Sequence, residues 1–369
     1  MGAILRPHFQ RMELAIALMG FALAAYAVVG NDCIQTLGTF LASNNHRPWW
    51  QLWLFAGGIL TVVLVLGFMG QGAVLGGENA NDLTFGKFGS LFKADNPFPE
   101  LTFWYVLPPL VLLSITRLGI PVSTTFLVLS FFSIKSLPSM LMKSLGGYGV
   151  AFAFAALMYV ILSRVTERFF MNHPMDEGKG FMRSRTFWTV LQWLSTGFLW
   201  SQWLTADLVN ILVYLGNPAD VGLGMFLFAL MTLLALLALI FIQKGGKIQE
   251  IVLAKSNTTD IRSATFVDFF YALVLLFFKY DKLGLWDGGL PMSTTWVFLG
   301  MLAGRELAMR SMFRVRQHHG DSTESLSKGN VAVMIFSDLG KATIGLVVSI
   351  LLVILLYVVE GRDLTLLLG

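Results

Sequence analysis

Cysteine is almost missing from this chain. Cys33 stands alone, which excludes an intrachain disulfide and any cysteine-built metal site. Charge is scarce too: Asp, Glu, Lys and Arg make up 13% of the residues, against 56% hydrophobic, where a soluble domain carries about a quarter charged residues. A membrane-embedded enzyme acting on lipid or phosphate esters would need a general base or a metal cluster. No such His/Glu/Asp constellation is visible, and His318 and His319 fall in a hydrophilic stretch. The expectation is therefore a protein that is not an enzyme and carries no cofactor. The apolar runs lack the period-two alternation of a β-barrel. The run after Arg6 and Arg11 lacks a small-residue cleavage pattern followed by a soluble chain, so it reads as a first helix rather than a signal peptide.

What the chain does have is long hydrophobic runs. Leu14 to Val29, Trp49 to Met69, Leu145 to Leu162, Met225 to Ile242 and Val331 to Val359 reach or approach the roughly 20 residues that cross a bilayer core about 30 Å thick. The fold class expected is an all-α polytopic, multi-pass membrane protein. The net charge of +4 suits basic loops against anionic lipid headgroups, so membrane lipid is an expected partner and nucleic acid is not. The expected setting is a bacterial inner (plasma) membrane. Basic residues gather in the central linker, in Lys244 to Arg262 and in Arg305 to Lys328. The positive-inside tendency assigns such segments to the cytoplasm, but the three do not agree on one topology, so orientation stays open.

The most informative pattern is a repeat. Pro121-Val122-Ser123-Thr124-Thr125 returns as Pro291-Met292-Ser293-Thr294-Thr295. Gly30-Asn31-Asp32 begins 91 residues before Pro121, and Thr205-Ala206-Asp207 begins 86 residues before Pro291. We divide the chain into a first transmembrane repeat (1–165), a polar linker (166–185) and a second repeat (186–369). In each half an apolar helix runs into an acidic break and a short helix follows (Cys33 to Ser43; Leu208 to Gly216). A long span, a loop and a further span then lead to the Pro-x-Ser-Thr-Thr peptide. A run too short to span follows each peptide (Phe126 to Ile134; Trp296 to Ala303). Short, Gly/Pro-interrupted segments at matching positions of two halves point to the binding site of a secondary transporter. An odd number of crossings per half makes the repeats inverted, with re-entrant hairpins and broken helices, and that is the arrangement favoured here.

Asp32 and Asp207 each follow an apolar helix, where a carboxylate costs at least a few kcal/mol unless compensated. As a pair they suggest ligands for a cation, Na⁺ or a proton; the alternative is a carboxylate that only caps the next helix. Asp32, Gln35, Thr36 and Thr39 share a helical face, with Asn31 beside them, and Asp207 and Asn210 repeat the i, i+3 relation. Such an oxygen-rich wall suits a hard cation, although interhelical hydrogen bonding uses the same residues. The candidate cation set is Asn31, Asp32, Gln35, Thr39, Asp207 and Asn210, with Asp32 and Asp207 as the Na⁺ ligands.

The two peptides suit an anion. Proline fits the first turn of a helix, and the hydroxyls after it lie beside free N–H groups at the positive end of the helix dipole. Ser123, Thr124, Thr125, Ser293, Thr294 and Thr295 are the candidate substrate residues; the alternative is hydroxyls that cap their own helices. Asp338 and Lys341 are expected to neutralise each other, and Arg117 lies near the first peptide or snorkels to the interface.

These motifs resemble the inorganic phosphate transporter (PiT) family of cation-coupled symporters. The residues that carry the resemblance are Gly30-Asn31-Asp32-Cys33-Ile34-Gln35-Thr36-Leu37-Gly38-Thr39 and Arg117 to Thr125 in the first half. In the second half they are Ala206-Asp207-Leu208-Val209-Asn210 and Leu290 to Thr295. The resemblance implies two inverted repeats, Na⁺-coupled symport of phosphate or a similar oxyanion, and a homodimer. It also shows departures: Phe126 and Trp296 stand where the family has histidine, Gln35 where it has Asn, and Ala206 where it has Asn. The expected function is a secondary active transporter, a cation-coupled symporter with Na⁺ ahead of H⁺ and inorganic phosphate as substrate. The alternatives are a sulfate permease of the same family or a passive anion channel.

Overall fold

Inside a bilayer no water satisfies the backbone, so a spanning segment must bond to itself as a helix. The long apolar segments that the structure describes do so. A computed structural model describes residues 2–75, 81–117, 122–162, 175, 180–244, 261–280, 289–317 and 328–361, and no β-strand longer than a single bridge occurs among them. Among the described residues, five helices are long and apolar enough to cross a membrane: Met12–Ser43, Trp49–Phe68, Ile134–Val160, Leu223–Ile242 and Ile261–Tyr280. Two shorter apolar helices, Phe103–Arg117 and Thr343–Val359, accompany them. The chain is a polytopic helical membrane protein.

In chain order, α1 (Gly2–Val28) passes through a π-helical turn, Val29–Cys33, into α2 (Ile34–Ser43). The acidic break expected at Asp32 is thus a widened turn within one continuous helix, and such π-bulges are frequent at functional sites. Pro48 opens α3 (Trp49–Phe68) in extended conformation. After a loop, α4 (Leu107–Arg117) leads towards the first peptide. Val122 and Ser123 are non-helical, a helix begins at Thr124, and a π-helical stretch (Thr125–Leu129) runs into Ser130–Phe132. At Ser133 the backbone swings to φ −142, ψ 87 and a 3₁₀ turn starts α5 (Leu137–Leu162).

The second half begins with α6 (Arg185–Asp207), whose first turn is capped by the Ser184 hydroxyl accepting the Phe187 N–H at 3.3 Å. A turn at Leu208 leads to the short helix Val209–Leu212. Then come α7 (Leu223–Ile242), α8 (Ile261–Tyr280), α9 (Thr294–Gln317) and α10 (Lys328–Val359). One expectation is corrected here. The run from Trp296 to Ala303 does not stop short but belongs to the 24-residue helix α9. Ten residues after Ser123 the chain has Ser133, which leaves the helix; ten residues after Ser293 it has Ala303, the strongest helix former.

α9 lies closely along α5. A Cβ on Gly300 would run into the Tyr148 carbonyl, and one on Gly304 into the Phe152 carbonyl. The Gly300-x-x-x-Gly304 spacing lets two backbones touch where lipid offers no hydrophobic drive for association. α8 packs on α6, α7 on α3, and α10 on the segment after the first peptide. These pairings fix the two peptides and the two acidic turns in one buried centre.

Candidate functional site

The two acidic turns and the two peptides meet. Asp32, Asp207, Asn31, Asn210 and all six peptide hydroxyl residues are buried. Thr124 donates its hydroxyl to Asp32 Oδ2 at 2.5 Å, and Thr294 donates to Asp207 Oδ2. The same position of each peptide therefore binds the carboxylate of its own half. Thr125 donates to the Met292 carbonyl at 3.3 Å, and Thr295 donates to the Val122 carbonyl at 3.2 Å. This second pair crosses between the halves and is reciprocal.

The amides complete the junction. Asn31 Nδ2 donates to Asp32 Oδ1 at 2.6 Å and to the Val122 carbonyl at 2.9 Å, and Gln35 Nε2 donates to Asn31 Oδ1 at 3.0 Å. Asn210 Nδ2 lies 2.9 Å from Thr124 Oγ1 and 3.4 Å from Asp207 Oδ1, so it joins the second acidic turn to the first peptide. Asp32 accepts from the neutral donors Thr124 and Asn31; Asp207 accepts from Thr294 and Asn210 and also feels the positive charge of the buried Lys87. The Asn210 Oδ1 oxygen, fully buried, has no hydrogen-bond partner among the described residues.

The serines play a different part from the threonines. Ser123 Oγ accepts the Phe126 N–H at 3.2 Å, and Ser293 Oγ accepts the Trp296 N–H at 3.3 Å. Each caps the first turn of its own helix, as the alternative reading of the hydroxyls had it. Their own O–H groups meet no described acceptor. The residues that follow, Phe126 and Trp296, pack edge to face with centroids 5.7 Å apart. The Trp296 Nε1–H is buried and without an acceptor among the described residues.

Two predicted residues behave otherwise. Thr36 turns back to its own helix, donating to the Asp32 carbonyl at 2.8 Å. Thr39 is not brought to Asp32; its hydroxyl donates to Asp268 Oδ1. Asp268 is a third fully buried carboxylate, on α8, and its other oxygen accepts Thr196 of α6 at 2.5 Å. From Thr196 a polar chain runs through Gln192 and Asn44 to Arg47, which stacks over Trp193. Sequence reasoning missed Asp268 because it lies in the middle of an apolar helix with no repeat mate. The single acidic residue between Ile261 and Tyr280 was the only signal. Lys143 was missed likewise: it is buried on α5 and donates to the Leu290 carbonyl at 2.8 Å, while the next residue, Ser144, accepts the Ser293 N–H at 2.8 Å.

Arg117 is exposed at the end of α4. At the outer end of α2, partial burial and then the charges of Arg185 and Arg47 hold His46 below its ordinary value of 6.5. Pro121, most of the central linker, and His318 and His319 lie outside the described residues, as do the side chains of Asp338 and Lys341.

No protein-family model matches the chain, and no curated protein matches it in sequence. The fold does have a counterpart. A solved structure titled "The sodium-dependent phosphate transporter" superposes with a TM-score of 0.55, covering 93% of this chain and 96% of that one at 16% sequence identity. At that identity the likeness is one of fold.

Proposed function

We propose that this protein is a Na⁺-coupled symporter of a tetrahedral oxyanion, with inorganic phosphate as the substrate. The observation that carries the reading is the pairing of Asp32 with Thr124 and of Asp207 with Thr294, with the unpartnered Asn210 oxygen beside Asp207. Two buried carboxylates held by hydroxyl and amide donors, next to an orphaned amide oxygen, are what a small hard cation compensates. The name of the fold counterpart agrees with this in cation and in anion.

The geometry suggests how the two ions would be coupled. Without a cation, Thr124 and Thr294 spend their only protons on the aspartates. A cation on Asp32, with Asn31 and Gln35 beside it, takes over the neutralisation and frees the Thr124 O–H. A cation on Asp207 and Asn210 frees that of Thr294. The released hydroxyls, with Ser123 and Ser293, then point their protons at an oxyanion held between the two helix starts. An anion alone would instead meet two carboxylates, which Coulomb repulsion opposes in a buried site. Thr125 and Thr295 hold the two peptides together while this happens. Thr39 has no part in this set.

We take the two halves to be inverted repeats; the crossed threonine bonds support a local two-fold relation between the peptides. The test is uptake of radiolabelled phosphate and sulfate into proteoliposomes, with and without a Na⁺ gradient, at two pH values. Na⁺-driven phosphate uptake that is lost in Asp32→Asn and in Asp207→Asn is the expected result. Uptake indifferent to both substitutions sinks the site, and uptake without any ion gradient dependence makes the protein a channel. Sulfate belongs in the panel because Phe126 and Trp296 bring no titratable group to the peptides.

A further inference from the structure

Trp296 carries a polar atom that the described protein does not use. Its side chain is 3% exposed, and its Nε1–H, buried, has no hydrogen-bond acceptor among the described residues. A buried N–H left unpaired costs free energy that native proteins seldom tolerate, so each instance asks for an absent partner. The place of this one is informative. Trp296 directly follows Thr295, and its backbone N–H is the one capped by Ser293. Its ring meets Phe126, the residue at the same position of the other peptide. The indole thus lies at the junction of the two peptides, within one turn of the hydroxyls of Ser293 and Thr294.

A second buried indole nitrogen, that of Trp203, is also without an acceptor among the described residues. Its surroundings differ: Trp203 lines an apolar hollow with Val29, Leu60, Trp200 and Leu237. Apart from the Cys33 thiol and its own indole, the described lining is aliphatic and aromatic, with no hydroxyl or amide side chain. Of these two indoles, Trp296 is the one that joins an unpaired donor to a junction of hydroxyls and a helix start.

We propose that the Trp296 Nε1–H is a direct hydrogen-bond donor to the transported oxyanion, and a determinant of its selection. This rests on the oxyanion-symport reading above. An indole N–H only donates, whereas Phe126 offers neither donor nor acceptor at the matching place. The two halves therefore contribute unequally: one supplies a donor and the other an apolar wall. A donor of this kind favours anions with several unprotonated oxygens and contributes nothing to cation binding.

The experiment compares wild type, Trp296→Phe and Trp296→His in proteoliposomes, with phosphate and sulfate as probes. Trp296→Phe keeps the ring and removes the donor. Its KM for the oxyanion is expected to rise about tenfold, the usual range for losing a bond to a charged acceptor. The Na⁺ half-saturation at saturating anion should stay unchanged. Trp296→His restores an N–H and should recover most of the loss. Should Trp296→Phe fail to fold, benzothienylalanine at position 296 replaces the N–H by sulfur at nearly constant shape. An unchanged anion KM in either donor-free variant overturns the proposal, as does a fall in maximal rate with KM untouched. If wild type moves neither anion, the symport reading itself fails; direct binding of phosphate and sulfate, read by tryptophan fluorescence, then decides this one. Binding equal in wild type and the donor-free variant overturns it there too. The phosphate and sulfate arms tell which oxyanion the donor serves.

Discussion

Thr125 and Thr295 hold each other's peptide: each donates its hydroxyl to the carbonyl that lies three residues before the other. The relation is reciprocal in atoms as well as in sequence position. It locks two helix starts, 170 residues apart in the chain, into one buried unit. Each bond is worth about 1 kcal/mol by the usual scale for a neutral buried pair. Thr125→Val and Thr295→Val should each lower stability by about that amount in graded SDS unfolding. Because both bonds secure the same junction, the double variant is expected to lose less than the sum of the two singles. Strict additivity would show that the peptides are held independently.

Asn210 is an amide that joins the two halves at the site, lying within hydrogen-bond reach of Thr124 and Asp207 while its oxygen has no partner among the described residues. Asn210→Ala removes both the bridge and the oxygen. Under the symport reading its Na⁺ half-saturation should rise about tenfold, the size of one lost ligand to a charged group. Na⁺ titration of phosphate uptake reads this directly, and a curve that overlays wild type would remove Asn210 from the cation set.

Thr39 separates two accounts of the oxygen-rich face of α2. Its hydroxyl belongs to Asp268, not to Asp32. Thr39→Val should leave the Na⁺ dependence of uptake unchanged while lowering stability by about 1–3 kcal/mol, because a buried carboxylate loses a donor. Asp268→Val strands both Thr39 and Thr196 and should cost more. Melting followed by tryptophan fluorescence in detergent measures both. A weakened Na⁺ response in Thr39→Val would return that residue to the cation site.

Gly304 tests the close approach of α9 and α5. A side chain there meets the Phe152 carbonyl, which is backbone and cannot move aside, whereas a Cβ at Gly58 meets open space. Gly304→Leu is expected to abolish monodisperse protein on size exclusion, and Gly58→Ala to leave the profile intact.

Much of the candidate site was legible because its motifs occur twice in the sequence. Asp32 and Asp207, and Thr124 and Thr294, stand at matching positions; that Thr124 bonds Asp32 and Thr294 bonds Asp207 came only from the structure. Helical periodicity was a weaker guide. It put Thr39 on the face of Asp32, which is true of the backbone, but two turns along the helix another element is nearer. Asp268 supplied the acceptor, and nothing local to α2 signals its approach. Lys143 was hidden for the same reason, since its acceptor is the Leu290 carbonyl in the other half. The short second run failed on a local detail, an alanine where the first copy has Ser133.

By itself the sequence determined that the chain lives in a membrane as helices, because so few charges and such long apolar runs leave the backbone no other way to satisfy its hydrogen bonds. It also showed that the costly polar residues recur in order, in two copies. Only the tertiary structure decided which hydroxyl serves which partner: the threonines to the aspartates and across the halves, the serines to their own helix ends, Thr39 to Asp268. A hydrogen bond reaches only about 3 Å, so its partner is set by how α2, α6, α8 and the two peptides pack, and that packing is a property of the whole chain rather than of any segment.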